Sequence, residues 1–183
     1  MDRRQLKTRK AIFDAFIYLL SKKDYNHITV QEIIDIADVG RATFYSHFET
    51  KDYLLKELCK ELFEHINSTF EGDNQSNKHL FNCDGQEDVF LHILKHFKRN
   101  DNNLLILFSS ENNELFLKYY KTYLSSLIDK HLDSFKIKHS NDLPRDFLIN
   151  YITSTFVETV KWWVSNKMVQ SPEVINQYIK DII

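Results

Sequence analysis

The sequence predicts an all-α protein, and three of its properties lead to that prediction. Only three glycines and two prolines occur among 183 residues, too few for the many turns of a β fold. Apolar residues recur at intervals of three and four along much of the chain. Hydrophobic residues make up 43% of the composition, which can supply a buried core at this length. We therefore expect a small helical N-terminal domain followed by a larger helical domain.

Two helical patterns joined by a sharp turn follow a first helix, which we place at about residues 5–21. Thr29 is a predicted N-cap, and Glu32 three residues later completes a capping box. We place the sharp turn at Asp38, because aspartate tolerates positive φ better than most residues. Gly40 can cap the next helix. The apolar faces of the first and second helices contain Ile12, Ala15, Phe16 and Leu19, and Val30, Ile33, Ile34 and Ala37, respectively.

The third helix combines an apolar face with a polar, aromatic outer face. Phe44 and Phe48, spaced i and i+4, are predicted to point inward. Thr50 is a further N-cap, and Lys51 begins a long fourth helix. The residues left to face outward are Arg41, Ala42, Thr43, Tyr45, Ser46 and His47. Such a pair of short helices is the architecture of a helix-turn-helix DNA reader.

The segment ADVGRATFYSHF, preceded by TVQEI and followed by Lys51, resembles the DNA-binding domain of the TetR family of bacterial transcription regulators. The resemblance covers about residues 5–55. Asp24 and Asp38 stand where this family usually has glycine, and we expect both to adopt the left-handed conformation. Gly40 replaces a frequent serine cap. The resemblance implies a homodimer that binds a double-stranded DNA operator, and we expect this binding to repress transcription.

The resemblance also assigns roles to the DNA-binding residues. Helix three should enter the major groove, with Arg41, Ala42 and Thr43 near base edges. Phosphate contacts are expected from Thr29, Tyr45, Ser46, His47 and Lys51. Domain packing remains an alternative role for Tyr45 and His47. A basic N-terminal arm should add phosphate neutralisation through Arg3, Arg4, Lys7, Arg9 and Lys10.

We divide the chain into a DNA-binding domain at 1–50, a connecting helix at 51–70 and a regulatory and dimerisation domain at 71–183. Residues 71–86 are polar and are predicted to form a flexible connector. Pro144 and Pro172 are predicted to lie in the first turns of helices. The later helical patterns cover about residues 87–99, 102–110, 114–138, 144–167 and 172–183.

The second half is rich in aromatic residues, which are the ordinary content of a helical core. The TetR resemblance implies instead a partly hollow core that binds a small apolar inducer. We expect that pocket to be lined by Phe97, Phe108, Phe116, Tyr120 and Trp163, with His92, His96 or Tyr123 orienting the ligand. The last two helices should pair with those of a second subunit. The predicted interface residues are Phe156, Val160, Val164, Val174 and Tyr178, together with Ile175 and Ile182.

His92 and His96 lie one helical turn apart, and such a pair can bind a transition metal. The segment HILKH lacks the glutamate of a metalloprotease motif, and no cysteine or third ligand is visible nearby. We therefore predict no metal and place the pair at a packed helix edge or in the pocket. Cys59 and Cys83 form no C-x-x-C motif and are predicted to be reduced thiols.

Several classes of function are disfavoured by the sequence. We find no phosphate-binding loop or nucleophile elbow, so we predict neither an enzyme nor a cofactor. No apolar run approaches the length of a membrane span and the N-terminus has no secretory pattern, so we expect a cytoplasmic protein. Two alternatives stay open: a regulator whose C-terminal domain binds a partner protein, and a helical adaptor that no longer binds DNA.

Overall fold

The computed structural model of the chain describes residues 3–70, 88–99, 107–108, 114–134 and 143–183. Across these ranges the regular structure is helical and contains no strand, which confirms the all-α prediction. Two short 3₁₀ turns occur at Tyr25–His27 and Leu132–Ser134. The α-helices are α1 (Arg3–Leu20), α2 (Val30–Ala37), α3 (Arg41–His47), α4 (Lys51–Phe70), α5 (Val89–Arg99), α6 (Glu114–His131), α7 (Arg145–Ser165) and α8 (Pro172–Ile182).

Helices α1 to α3 enclose an aromatic core. Phe44 and Phe48 are completely buried, as their spacing predicts. The ring of Phe48 packs edge to face on Phe13 of α1, with 5.2 Å between centroids. Aromatic pairs in this geometry add stability beyond the apolar area that they bury. These two phenylalanines therefore fix which side of α3 faces solvent.

The turns around α2 confirm one local prediction and correct another. Asp38 has φ 52° and ψ 50°, the left-handed conformation that its position at the turn predicts. Asp24 has φ −58° and ψ 142°, so the left-handed conformation expected for it is wrong. Its carboxylate instead accepts a hydrogen bond from the amide of Asn26 at 2.8 Å and caps the first 3₁₀ turn. An aspartate can replace glycine here because the backbone needs no positive φ.

Helix α1 is joined to α4 through Arg9. Its guanidinium donates to the carboxylates of Glu57 at 2.8 Å and Glu61 at 3.3 Å. It also lies 4.9 Å from the ring centroids of both Phe13 and Phe48. Because α1 already begins at Arg3, the predicted basic arm forms the first turns of a helix, and Arg9 faces this cluster rather than solvent.

The C-terminal helices pack around α4 and α5. Helix α6 packs on α4 and α7, and α8 packs on α5. Phe90 of α5 stacks on Phe156 of α7 with 4.9 Å between ring centroids. Two ion pairs hold α8 against the start and middle of α5: Lys180 with Asp88 at 3.1 Å, and Lys95 with Glu173 at 3.6 Å.

Some predicted boundaries need adjustment. The pattern that we extended to residue 138 is helical only to His131, followed by the second 3₁₀ turn. Pro144 precedes α7 as its N-cap, whereas Pro172 lies in the first turn of α8 as predicted. The predicted connector at 71–86 lies outside the described residues. Of the predicted helix at 102–110, only Leu107 and Phe108 are described, and both are helical and buried.

The capping box of α2 generates a pH-dependent prediction. The amide of Glu32 donates to Thr29 Oγ1 at 3.2 Å, and Glu32 Oε2 accepts from the Thr29 amide at 3.0 Å. The hydrogen bond from Lys23, followed by those from Thr29, lowers the pKa of Glu32 from 4.5 to about 2. A carboxylate whose pKa is lowered by folding stabilises the folded state at pH values above its unfolded-state pKa. That stability is lost as the pH falls through its folded-state pKa.

We therefore expect Glu32→Gln to lower the free energy of unfolding in urea at pH 7. The difference from wild type should shrink as the pH falls from 4.5 towards 2. Glu49→Gln, at an exposed carboxylate after α3, is the matched control and should show a smaller effect. A Glu32→Gln deficit that stays constant over this pH range would contradict the assignment.

Candidate nucleic-acid interface

The outer face of α3 presents the residues that the sequence predicts for DNA contact. Arg41, Ala42, Thr43, Tyr45 and Ser46 are exposed, and His47 is half-buried. Gly40 is the N-cap of α3, as predicted, and it provides no side-chain hydrogen bond. The face is therefore a short polar ridge supported from below by buried phenylalanine rings.

Arg41 is oriented by α2. Its Nη2 donates to Gln31 Oε1 at 2.6 Å, and Gln31 Nε2 donates to Asp35 Oδ1 at 2.8 Å. The chain of two hydrogen bonds lies on the exposed surface of α2 and α3. Our sequence reasoning missed Gln31, although its i, i+4 spacing from Asp35 is a recognisable helical pair.

A groove beside α3 brings a second element to this surface. It is lined by Arg4, Gln5 and Thr8 of α1 and by Thr43, Ser46 and His47 of α3. Burial, followed by the charge of Arg9, lowers the pKa of His47. Two further exposed cations, Arg3 and Lys7, lie on the same N-terminal segment of α1. The groove therefore offers a cation and a hydroxyl group on its α1 side, and two hydroxyl groups and an imidazole on its α3 side.

Lys51 has a packing role in this structure that the sequence did not predict. Its Nζ donates to the carbonyl oxygens of Tyr25 at 2.9 Å and Ile28 at 2.8 Å, and lies 4.2 Å from the Tyr25 ring centroid. Burial lowers the pKa of Lys51. The Tyr25 hydroxyl donates to Asp52, and burial followed by this hydrogen bond raises the pKa of Tyr25. Two of the three ammonium donors of Lys51 thus hold the start of α4 to the segment before α2.

Four of the residues predicted to line a pocket lie in one aromatic cluster. Phe108 contacts Phe97, Phe116 and Tyr120 with ring centroids 5.2, 4.9 and 5.0 Å apart, respectively. The hydroxyl of Tyr120 is buried and has no hydrogen-bond partner among the described residues. Buried phenols ordinarily have such a partner. The cluster therefore encloses a buried polar atom that no described residue satisfies.

The other predicted pocket residues are located differently. Trp163 is buried near the end of α7, where its Nε1 donates to the carbonyl oxygen of Gln170 at 3.1 Å. Tyr123 is partly buried and stacks on Phe63 of α4 at 6.2 Å. Its pKa is raised to about 12, chiefly by burial.

His92 and His96 are buried and face α4. Their Nε2 atoms lie 3.0 Å apart. The ring of His65 lies 5.5 Å from His92 and 5.1 Å from His96, measured between centroids. The sequence shows no third ligand beside this pair, but α4 supplies a third imidazole, His65, so the absence of a third ligand is a wrong prediction.

Part of the predicted dimer surface lies inside one chain. Phe156, Val160 and Ile175 are completely buried within the monomer, so their assignment to an interface is wrong. Val164 is partly buried, whereas Val174 and Tyr178 are 40% and 44% exposed. The exposed apolar residues of α7 and α8 are Phe147, Tyr151 and Trp162, and Val174, Tyr178 and Ile182.

The fold and the exposed ridge define a helix-turn-helix regulator, and comparisons with known proteins identify its family. Residues 12–58 match the family model described as bacterial regulatory proteins of the tetR family. Residues 84–183 match a model of a transcriptional regulator C-terminal region. The chain belongs to the TetR family. It is a DNA-binding transcription regulator rather than an enzyme. Across the described ranges, no helix combines the length and apolar content needed to cross a membrane.

Individual relatives support this assignment. A solved TetR transcriptional regulator from Streptococcus agalactiae 2603V is 37% identical with a TM-score of 0.72, over 99% of this chain and 96% of that one. The fatty acid metabolism regulator protein of Bacillus subtilis strain 168 is 29% identical over 167 residues, 85% of this chain and 82% of that protein. The uncharacterized regulator YxbF of the same organism is 38% identical over 71 residues, which cover 36% of this chain and only 19% of that protein.

Proposed function

We propose that this chain is a cytoplasmic homodimeric repressor that reads an operator with α3 and is released by a small apolar ligand bound in its C-terminal half. The observation that carries the proposal is the ridge of α3, where polar side chains are exposed above two buried phenylalanines. The major groove of B-DNA admits an α-helix that presents such a face.

Base recognition is proposed for the start of α3 and phosphate binding for its surroundings. Arg41 can place two parallel donors on a guanine, and Gln31 limits the directions in which its side chain points. Thr29, Tyr45, Ser46 and His47 would contact the sugar-phosphate backbone, with Arg4 on the opposite side of the groove. Lys51 would contribute its remaining ammonium donor.

The first test measures base preference with DNA selected from random oligonucleotides and with the promoter of the protein's own gene. We expect Arg41→Ala to lose discrimination at one base pair of each half-site, worth about 1–3 kcal/mol. Arg145→Ala, at an exposed arginine of α7 paired with Asp129, is the control and should leave every preference unchanged.

An unaltered preference at every position would contradict the role of Arg41. If the wild-type protein selected no sequence and did not bind its promoter, the proposal that α3 reads an operator would fail. That outcome would favour the helical adaptor.

A two-fold dimer is proposed through the exposed faces of α7 and α8. Phe147, Tyr151 and Trp162 follow one side of α7, while Val174, Tyr178 and Ile182 recur every four residues on α8. The two faces adjoin, since the Tyr151 hydroxyl lies 3.5 Å from the carbonyl oxygen of Ile182. An apolar face of this kind is a typical protein interaction site. Two recognition helices about 34–36 Å apart could then read two half-sites.

The double variant Tyr151→Glu, Tyr178→Glu should sediment as a monomer and lose operator affinity. The control is Val169→Glu, because Val169 is 79% exposed in the turn between these helices. It should remain dimeric. A wild-type chain that sediments as a monomer at micromolar concentration would contradict the dimer, and a dimeric double variant would place the interface elsewhere.

The ligand proposal rests on the aromatic cluster around Tyr120. Apolar rings surround a buried hydroxyl whose hydrogen-bonding capacity no described residue uses. A small apolar ligand with one polar group matches that combination. Fatty acids are a reasonable first class of probe, because one relative is named a fatty acid metabolism regulator.

We expect fatty acids of graded chain length to raise the melting temperature and lower operator affinity. Tyr120→Phe deletes only the hydroxyl, so it should weaken ligand binding about tenfold while leaving DNA binding intact. Tyr119→Phe, at the neighbouring and less buried phenol, is the control. The sensor proposal fails if neither fatty acids nor a broad set of hydrophobic compounds shifts the melting temperature.

A further inference from the structure

We propose that His65, His92 and His96 form a binding site for a divalent transition metal ion of the zinc class, and that the ion would join α4 to α5. The three residues define one cluster from two helices, which we call the histidine cluster. His92 and His96 come from consecutive turns of α5, and His65 comes from α4.

The positions of the nitrogens are close to those of a metal site. One candidate ligand atom from each residue lies within 4.8 Å of the other two. The Nε2 atoms of His92 and His96 are 3.0 Å apart. Two imidazole nitrogens at about 2.0–2.1 Å from the same tetrahedral zinc are roughly 3.3 Å apart. The α5 pair therefore already has nearly the required separation, whereas the His65 nitrogen, within 4.8 Å of the other two, must move closer by up to about 1.5 Å.

The His65 ring differs in orientation from the two rings of α5. His92 and His96 are stacked, with 19° between their planes and 4.9 Å between centroids. His65 is nearly perpendicular to both, at 78° and 86°. The His65 ring is therefore not part of the α5 stack, and one of its nitrogens lies within 4.8 Å of a nitrogen of each α5 ring.

Burial shields the three rings from bulk water. The relative exposures of His65, His92 and His96 are 1%, 4% and 6%. A neutral imidazole has the lone pair that a metal needs.

The donor set selects the class of metal. Imidazole nitrogens suit Zn²⁺, Co²⁺, Ni²⁺ and Cu²⁺, whereas Mg²⁺ and Ca²⁺ prefer oxygen. Three protein ligands leave a fourth position for water or for an anionic small molecule. The competing arrangement is a metal-free hydrogen bond between His92 and His96.

The test uses the full-length chain without an affinity tag, treated with a chelator and dialysed. We expect one Co²⁺ ion per chain to bind and to give the intense visible absorption of four-coordinate cobalt. Zn²⁺ should displace the cobalt and raise the melting temperature. X-ray absorption at the zinc edge should show imidazole nitrogens at about 2.0–2.1 Å.

Variants from both helices locate the site. His92→Gln and His65→Gln should each weaken Co²⁺ binding about 100-fold or more, beyond the loss typical for a residue that only supports a ligand. His27→Gln, at an exposed histidine of the first 3₁₀ turn, is the matched control and should bind cobalt like the wild type. Circular dichroism verifies that each variant keeps its helical content.

Two outcomes would overturn the proposal. One is a wild-type chain that binds neither Co²⁺ nor Zn²⁺, which needs no variant to interpret. The other is equal binding by wild type, His65→Gln and His92→Gln, which would assign the metal to surface histidines. Neither titration contains DNA, so both outcomes leave the operator-binding proposal unaffected.

Discussion

The packing of Arg9 between carboxylates and aromatic rings is the interaction on which the N-terminal half depends. The guanidinium ion-pairs with Glu57 and Glu61 of α4 while lying against Phe13 and Phe48. Removing one partner of such a half-buried pair leaves the other charge poorly solvated, which is costly. One side chain therefore fixes α1, the end of α3 and α4 as a unit, and sets the direction in which the DNA-reading ridge points.

Helix α4 extends from this unit into the C-terminal half. At its start Lys51 bonds to two carbonyl groups of the segment before α2, and further along Phe63 packs on Tyr120 with 5.0 Å between ring centroids. His65 lies two residues after Phe63 and packs against α5. A ligand at the aromatic cluster and a metal at the histidine cluster would thus both act on α4. If α4 lies differently in the DNA-bound and released states, either ligand could alter DNA binding only by the difference in its affinity for those two states.

Local structure could be predicted from the sequence where the cause lies within a few residues. The Thr29 capping box, the left-handed Asp38 and the inward Phe44 are of this kind. Apolar periodicity could not tell whether Phe156 is covered by its own chain or by a second subunit, because both give the same pattern. Nor could it place His65 beside His92, since that proximity depends on how α4 packs on α5.

A double-mutant cycle between Arg9 and Glu57 measures most directly whether α1 and α4 form one unit. The free energies of unfolding in urea would be determined for wild type, Arg9→Met, Glu57→Gln and the double variant. Their side chains are 16% and 11% exposed, so the solvent screens the pair only partly. We expect a coupling energy of about 1 kcal/mol or more. A coupling within about 0.3 kcal/mol of zero would show that the two helices are held together by other contacts.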